Sequence, residues 1–434
     1  MLLEKLHLDK EDYEIHSIKK GKVIVNNKTV NWLEVSFGEA ELFERILDYE
    51  REGFDEIKNK SFIFKLLVNN IVQFRQVENG KMKGIKTRVY FAPNPYCNLE
   101  CVYCYAEAMS PKMKINFNET ETYKIIDNFT TDNVEEIIIT GGEPLMRKDI
   151  FDIVDYIKYQ RKKKISILTN GILINENNIK HMQKFDRVTL SLDASKAEIN
   201  DITRGNGTFK KIVESVKLLK RYNVRVGITS VVSQVNLDNV PELLKFIREE
   251  LGIEEHKTTI HVSHGRGKAS QIECTALQVQ EFRELYLKDY IKKGLKNNAS
   301  LFEPQLTRNI QRQMCGVATA EIFVNEKGEV YPCRLFVKEQ YLLGSLLEND
   351  LDEIIKNEKA NSFKERMKVD NIESCASCKS RYLCGGGCRS SHSCYTDSIE
   401  VSHEPLCDMI KKDIKNSILL QTKINPITLE KIRG

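Results

Sequence analysis

Hydrophobic and polar residues alternate along the middle of the chain with two different periods. Short apolar runs typical of β-strands occur at Arg88–Ala92, Glu136–Thr140, Ile165–Thr169, Arg187–Asp193, Val224–Val231 and Thr258–Val262. Amphipathic stretches typical of helices lie between them, for example at Arg147–Lys162 and Thr208–Tyr222. This alternation predicts βα units with parallel strands. Since six units are two fewer than a complete eight-stranded barrel, we expect an α/β fold with a partial (βα)6 barrel and chemistry at the carboxyl ends of its strands.

The two flanks of this region have different patterns. Residues 1–85 contain a hairpin-like stretch (YEIHSIKKGKVIVNN) and helical patterns around Gly38–Tyr49 and Ser61–Val72, which predict a small α+β domain. After about residue 300 the chain is rich in glycine and cysteine and has few long periodic segments. We expect metal sites to hold that region together. The domains predicted from these patterns are 1–85, 86–300 and 301–415, followed by a tail over 416–434.

Charge and hydropathy narrow the classes of function. The 434 residues include 66 basic and 62 acidic ones, a net charge of +4, and this mixed surface gives no general argument for nucleic acid. The basic run Lys158–Lys164 ends a predicted helix, and we interpret it as a solvated face; binding of an acidic leader or of nucleic acid is the alternative. No apolar run has the length of a membrane helix, and the first residues (MLLEKLHLDKEDYE) are too charged for a signal peptide. We therefore predict a cytoplasmic protein with no nucleic-acid or membrane partner.

The twelve cysteines are unusual for a cytoplasmic protein and are unevenly placed. Three lie between positions 97 and 104, eight lie between 315 and 407, and Cys274 stands alone. Disulfides are disfavoured in a reducing compartment, where grouped cysteines more often bind metal or carry out redox chemistry. The grouping therefore predicts ligands of iron–sulfur clusters.

Cys97, Cys101 and Cys104 form a C-x3-C-x2-C motif directly after the first predicted barrel strand. Three thiolates on one tight loop can bind three irons of a 4Fe–4S cube and leave the fourth iron open to a chelating ligand. The alternatives are a zinc loop and incidental cysteines, but zinc sites usually pair two C-x2-C elements, and no fourth cysteine is near in the sequence. The motif favours an open 4Fe–4S cluster.

This loop is one of several features that resemble the radical S-adenosylmethionine (SAM) superfamily, over about residues 88–270. Tyr103 is the aromatic residue that the family places before the last cysteine, and Gly141-Gly142-Glu143-Pro144 resembles its GGEP motif. The resemblance implies that the backbone of Tyr103 contacts adenine. It also implies that the GGEP backbone and Glu143 bind the ammonium group of SAM, with glycines that allow a close approach.

Further matches follow at the ends of later strands. Asn170, in the sequence TNG, lies where the family places a ribose contact. Ser191 and Arg204 resemble the pair that binds the SAM carboxylate, a role that suits the forked donors of arginine. Weaker candidates for packing on adenine are Val231 and Val232. Each feature has a plainer interpretation, for example an ion pair between Arg204 and Asp201, but their order at successive strand ends favours the resemblance.

Seven of the C-terminal cysteines form a second pattern, C-x12-G-x4-C followed by C-x2-C-x5-C-x3-C and a final C. With Gly328 in its first part, this pattern resembles the SPASM domain, which carries two auxiliary 4Fe–4S clusters and occurs in enzymes that modify peptides and proteins. The resemblance implies one auxiliary cluster on Cys375, Cys378, Cys384 and Cys407. It implies the other on Cys315, Cys333 and Cys388. The cofactors expected in all are SAM and three 4Fe–4S clusters.

The second auxiliary set has three thiolates, whereas a four-iron cube takes four ligands. Either Cys394, six residues after Cys388, is the fourth ligand, or the fourth iron is open to a substrate thiolate. We favour the open iron because Cys394 lies outside the seven-cysteine pattern. We interpret Cys274 as an inert thiol.

The two ends of the chain indicate what it modifies. Sulfatase-maturating relatives carry an aspartate after the cysteine that aligns with Cys333, whereas this chain has Arg334, which argues against formylglycine formation. Residues 1–85 loosely resemble the leader-recognition domain of peptide maturases, which binds an extended peptide against a sheet edge. A barrel-capping extension is the alternative. We therefore expect a maturase that removes hydrogen from a ribosomally made precursor peptide and forms a thioether crosslink.

Two other functions stay open. One is a SPASM-type enzyme that oxidises a protein residue or joins two carbons of a peptide, and the other is a non-catalytic iron–sulfur scaffold. The scaffold is disfavoured because it has no need of Glu143, Ser191 and Arg204. The partners expected are the precursor peptide and an electron donor such as flavodoxin or ferredoxin.

Overall fold

The structure is a computed structural model that describes residues 6–48, 59–74, 86–110, 118–275, 277–282 and 311–421. The residues before 75 form a small α+β unit. Its strands are β1 (Leu6–His7), β2 (Tyr13–Ile18), β3 (Gly21–Asn26), β4 (Asn31–Val35) and β5 (Gln73–Phe74). Its helices are α1 (Phe37–Leu47) and α2 (Lys60–Val68). The main antiparallel sheet has the order β2-β3-β4, while β1 pairs with β5.

The two faces of this sheet pack against different parts of the chain. On one face, Ile24 packs in a cluster with Phe43 of α1 and Leu66 of α2. On the other face, the fully buried Trp32 packs in a cluster with Ile414, far along the chain. The predicted hairpin and both predicted helices of this region are confirmed. The N-terminal unit is therefore docked on the C-terminal part of the chain through its own core residues.

Strand β4 was missing from the sequence prediction for a physical reason. Within β4, the adjacent residues Trp32 and Leu33 are both apolar because both faces of the sheet are covered. The strand therefore lacks an alternating pattern of apolar and polar residues. The strand ends before Ser36, whose hydroxyl accepts a hydrogen bond from the Glu39 backbone (3.2 Å) while the Glu39 carboxylate accepts one from the Ser36 backbone (2.8 Å). This capping box starts α1.

The middle of the chain forms a parallel sheet flanked by helices. Its strands are β6 (Thr87–Ala92), β7 (Val134–Ile139), β8 (Lys164–Thr169), β9 (Arg187–Ser191), β10 (Val226–Val232) and β11 (Glu255–Ile260). Its helices are α3 (Glu119–Phe129), α4 (Ile150–Asp155), α5 (Ile179–Met182), α6 (Ala197–Arg204), α7 (Thr208–Arg221) and α8 (Val240–Lys245). All six predicted strands are confirmed, with ends shifted by a few residues. Successive strands are neighbours, and the sheet is open at β11.

The long helix predicted over Arg147–Lys162 is shorter in the structure. It begins only at Ile150, because Arg147 lies in the preceding turn, where its buried guanidinium donates to Asp149 and to the backbone oxygen of Pro93 (2.9 Å). After Asp155 the chain continues as a π-helical turn. An apolar pattern does not distinguish such turns from a regular helix.

The cysteine-rich region continues the barrel sheet, which the sequence prediction did not include. Strand β12 (Glu321–Asn325) pairs in parallel with β6, and the antiparallel strands β13 (Glu329–Tyr331) and β14 (Gly344–Ser345) follow it. Its helices are α9 (Leu351–Ile354), α10 (Glu358–Met367), α11 (Glu373–Ala376), α12 (Arg381–Cys384), α13 (Arg389–Thr396) and α14 (Glu404–Gln421). Helix α14 runs across the expected boundary at 415. Among the described helices, none is long and apolar enough to cross a membrane.

Candidate active site and cluster-binding cysteines

The three cysteines of the first motif lie on the loop that follows β6, at the carboxyl end of the sheet. The Leu99 backbone donates to the Cys97 sulfur (3.4 Å), and the Cys104 backbone donates to the Cys101 oxygen (3.2 Å). Burial raises the pKa of the Cys97 thiol to about 11, and the negative charges of Cys101 and Cys104 add to the rise. Three half-buried thiols that repel one another when ionised need a positive centre, so their chemistry fits a cationic iron–sulfur core.

A loop after β11 holds this cysteine loop in place. Arg266 donates from its backbone to the Cys104 oxygen (3.1 Å) and from Nε to the Cys101 oxygen (3.2 Å). Gly265 has a φ of +53°, and a Cβ there would lie 2.5 Å from the Cys104 oxygen. The sequence analysis did not identify Gly265 or Arg266. The signal that could have identified them is the glycine-rich sequence HGRGK, which follows the predicted strand over 258–262.

The two glycines of GGEP allow the loops after β6 and β7 to touch. A Cβ at Gly142 would lie 2.1 Å from the Tyr96 oxygen, and one at Gly141 would lie 2.6 Å from the Asn94 oxygen. The Glu143 backbone donates to the Tyr96 oxygen (2.6 Å). No side chain larger than hydrogen fits at either glycine, so these residues are required by the packing of the cysteine loop as well as by any ligand.

The carboxylate of Glu143 is fully buried and faces the end of β8. It accepts hydrogen bonds from the Thr169 hydroxyl (2.7 Å) and from the Asn170 backbone (2.8 Å), and burial raises its pKa. The Asn170 side chain in turn donates to Asn98 (2.8 Å) and lies 3.8 Å from the Cys97 sulfur. The structure therefore brings Glu143 and Asn170 together beside the first cysteine, and their roles toward SAM stay predictions.

Arg204 makes a buried ion pair with Asp193, a residue that sequence reasoning missed. Its Nε and Nη2 atoms donate to the two carboxylate oxygens at 2.7 and 3.0 Å. Tyr103 donates its hydroxyl to the same carboxylate, and its ring lies 5.5 Å from the Arg204 guanidinium carbon. The suggested pair with Asp201 is wrong, because Asp201 accepts from the backbone of Phe209 at the start of α7. A lone acid at the end of an apolar run was the signal that could have identified Asp193.

The other strand-end candidates differ in their surroundings. Ser191 is half-buried at the end of β9, opposite Thr229 of β10. The Val231 backbone donates to Asp193 (2.8 Å), so this residue belongs to the same site. Val232 is fully buried in an apolar cluster with Val240, and its contact with adenine stays a prediction.

The C-terminal cysteines fall into two groups that interact within each group. The negative charges of Cys388 and Cys333 add to the effect of burial and raise the pKa of Cys315 to about 12. In the other group, burial with Cys375, Cys407 and Cys378 raises the pKa of Cys384 to about 12. These are the two sets that the SPASM resemblance implies. Among the described residues, no three Cys, His, Asp or Glu side chains are arranged around a single metal ion.

Cys394 and Cys274 lie outside the seven-cysteine pattern, although burial and then the negative charge of Cys388 raise the pKa of Cys394 to about 11. The Cys394 sulfur lies 3.1 Å from Nε2 of His264 and 3.3 Å from the Ser390 oxygen one helical turn earlier. His264 also contacts the Ser390 hydroxyl (2.7 Å), so this pair joins the loop after β11 to α13. Cys274 is half-buried, and burial raises its pKa to about 11.

Comparisons with known proteins agree with this geometry. The radical SAM superfamily model matches residues 92–247, and the SPASM iron–sulfur cluster-binding domain matches residues 315–379. The chain is 25% identical to the subtilosin biosynthesis protein AlbA of Bacillus subtilis, over 67% of this chain and 64% of the relative, which is just under two thirds of that protein. It is 29% identical to the mycofactocin maturase MftC of Mycobacterium ulcerans, over 67% and 80%. It is 26% identical to a cysteine-type anaerobic sulfatase-maturating enzyme of Clostridium perfringens, over 68% and 86%.

Two solved structures share the fold. AnSMEcpe with bound AdoMet has a TM-score of 0.64 at 22% identity and covers 76% of this chain and 97% of its own. Streptococcus suis SuiB bound to S-adenosylmethionine has a TM-score of 0.62 at 18% identity and covers 92% of this chain and all of its own. The chain therefore carries a radical SAM domain and a SPASM domain on this fold, and the two domains imply an enzyme that uses SAM and multiple 4Fe–4S clusters.

Proposed function

We propose that this enzyme is a maturase of a ribosomally made precursor peptide and that it forms a thioether crosslink in that peptide. The observation that carries the proposal is the N-terminal unit. Its sheet has the order β2-β3-β4, so within the described residues β2 and β4 each have one edge without a partner strand. An open edge can take up an extended peptide as an added strand. We assign leader recognition to this unit, within residues 1–85.

The relatives support the peptide class of substrate. AlbA is named for the biosynthesis of a bacteriocin, and MftC is named as a maturase. SuiB, whose fold covers the N-terminal unit as well as the barrel, has been solved bound to its precursor peptide SuiA. The relatives therefore support both a peptide substrate and a leader-binding role for the N-terminal unit of this chain.

Thioether formation needs a radical that removes hydrogen and an acceptor for one electron. Cys97, Cys101 and Cys104 hold the cluster that binds SAM, and bound SAM supplies the 5′-deoxyadenosyl radical. The hydrogen removed from the peptide carbon ends on 5′-deoxyadenosine, the thiol loses its proton, and the new C–S bond leaves one surplus electron. An auxiliary cluster held by the C-terminal cysteines would supply an acceptor for this electron. An external one-electron donor, flavodoxin or ferredoxin, is needed for each cleavage of SAM.

A second candidate function is oxidation of a protein residue without crosslinking, because a sulfatase-maturating enzyme is among the relatives. The surroundings of Cys333 disfavour it. The next residue, Arg334, lies with its guanidinium carbon 5.0 Å from the ring centre of Tyr90 on β6. A permanent cation there cannot act as the general base that such an oxidation needs.

The proposal is tested by mass spectrometry of a short precursor peptide that is encoded by a gene next to that of this enzyme and is co-expressed with it. We expect a loss of two hydrogen atoms per crosslink, a peptide cysteine that no longer reacts with an alkylating reagent, and no product with the Cys97→Ala variant. A C–C bond between two carbon positions with a free thiol would contradict the thioether. A modified sulfatase and an unmodified peptide would favour the second candidate.

A further inference from the structure

Arg389 is a buried cation whose described partners are all neutral. It starts α13 directly after Cys388, and only 1% of its surface is exposed. Its guanidinium donates to the Ile399 oxygen (2.7 Å), to the Val401 oxygen (2.7 Å) and to the Ser402 hydroxyl (3.2 Å). Within the described part of the chain, no carboxylate forms an ion pair with it. A buried guanidinium without a counter-charge is unfavourable, and arginine does not lose its proton in proteins.

The groups near Arg389 that would carry negative charge on binding a cluster are cysteines of both auxiliary groups. Its environment includes Cys375, Cys407 and Cys384 of one group and Cys315 of the other. The contact to the first group runs through Ser402, whose hydroxyl oxygen lies 3.7 Å from the Cys375 sulfur. The guanidinium also donates to the Gly386 oxygen (3.2 Å), on the tight turn between two cluster ligands. Arg389 therefore follows Cys388 of one group directly in the chain and reaches Cys375 of the other group through Ser402.

We propose that Arg389 is the shared counter-charge of the two auxiliary clusters and that it raises the reduction potential of the cluster held by Cys375, Cys378, Cys384 and Cys407. A 4Fe–4S cube with thiolate ligands is an anion, and a one-electron reduction makes it more negative. A buried cation stabilises the reduced form more than the oxidised form, and net charge and hydrogen bonds to sulfur are known to set such potentials. The proposal rests on the proposed assignment of the cysteines to clusters. It makes Arg389 a positioning residue for electron transfer, with no contact to substrate.

A redox titration followed by electron paramagnetic resonance tests the proposal. The background is the reconstituted full-length protein with Cys97, Cys101 and Cys104 replaced by alanine, so that only auxiliary clusters contribute. Arg389→Gln removes the charge, and Arg389→Lys keeps it without the forked geometry. Arg381→Gln is a matched control, since Arg381 also donates to a ligand backbone, that of Cys378 (3.1 Å), but is half-exposed and has Asp370 as its own counter-charge (3.3 Å).

We expect a lower midpoint potential in Arg389→Gln, a value closer to that of the parent protein in Arg389→Lys, and no shift in Arg381→Gln. An unchanged potential in Arg389→Gln at full iron content would overturn the proposal. If Arg389→Gln does not bind its auxiliary clusters, the proposal requires Arg389→Lys to restore both the iron content and the midpoint potential. Loss of the clusters in both variants would contradict a role for the charge of Arg389. A parent protein without auxiliary iron would instead contradict the cysteine assignment itself.

Discussion

Arg204 and Asp193 form a two-point ion pair in which both side chains are at least nine-tenths buried, with donor–acceptor distances of 2.7 and 3.0 Å. The pair joins the end of α6 to the residues after β9, and Tyr103 of the cysteine loop donates to the same carboxylate. Two of the three guanidinium nitrogens are used by Asp193. The third, Nη1, forms none of the described hydrogen bonds, so it is the donor that we assign to the SAM carboxylate.

The first prediction concerns this carboxylate. Asp193→Asn removes the counter-charge of a buried arginine, and loss of one partner of a buried pair costs about 3–5 kcal/mol. We expect SAM affinity to fall by roughly tenfold or more, since Arg204 and Tyr103 are left with one neutral amide oxygen in place of a two-oxygen carboxylate. Equilibrium binding of SAM to the reconstituted protein measures the effect. Asp201→Asn is the control, because Asp201 bonds to the start of α7, and equal losses in both variants would contradict the assignment.

The sequence predicted the strands β6 to β10 well because each contains a short run of buried apolar residues. Spacing grouped the first three cysteines, and the SPASM resemblance grouped the C-terminal ones; the role of all of them as cluster ligands stays a prediction. Asp193 and Arg266 were not assigned from the sequence, although the lone acid after an apolar run was a signal for Asp193. Each acts on a group that lies far along the chain, and such contacts depend on which strand ends meet.

The second prediction concerns the cluster loop. Replacing Cys97, Cys101 and Cys104 together by alanine should abolish 5′-deoxyadenosine formation while auxiliary iron stays bound, because the C-terminal cysteines form separate groups. Product analysis by chromatography and an iron assay give the two readouts. Formation of 5′-deoxyadenosine at the level of the unaltered enzyme would rule out this loop as the site of SAM cleavage.

The third prediction concerns the N-terminal unit. Deleting residues 1–85 would test leader binding, but it would also expose the apolar surface around Ile414 on which Trp32 packs. Proline within β4 is a milder change. In an edge strand every second N–H points away from the sheet. Of Leu33→Pro and Glu34→Pro, the variant that removes an outward N–H keeps the hydrogen bonds to β3, so it leaves the fold intact and blocks the addition of a strand.

We expect the tolerated β4 variant to bind a labelled leader at least tenfold more weakly, about 1.4 kcal/mol, and to keep uncoupled SAM cleavage. Fluorescence anisotropy measures the binding. The same changes on the opposite edge strand β2, Ile15→Pro and His16→Pro, decide which edge is used. Unchanged leader affinity in all folded variants would contradict recognition at this sheet.

The fourth prediction concerns pH. His256 of β11 contacts the Ser230 hydroxyl through Nε2 (2.8 Å), and burial lowers its pKa from 6.5 to about 3. The folded state therefore binds fewer protons than the unfolded state below pH 6.5, so stability falls as the pH drops from about 6.5 towards 3. Between about pH 7.5 and pH 5.5 we expect a loss of about 1 kcal/mol. Urea midpoints measure it, and His256→Gln should flatten the difference. An equally steep loss in that variant would show that other groups are responsible.

The last prediction concerns Cys394 and the open iron. The Cys394 sulfur is within hydrogen-bond distance of both His264 and the Ser390 oxygen, so its position is accounted for without a metal. We therefore expect Cys394→Ala to keep the full iron content and the peptide activity, with Cys274→Ala as the matched control. Iron analysis with electron paramagnetic resonance of the auxiliary clusters is the measurement. Loss of one auxiliary cluster in Cys394→Ala alone would make Cys394 the fourth ligand beside Cys315, and a substrate thiolate would then have no iron to bind there.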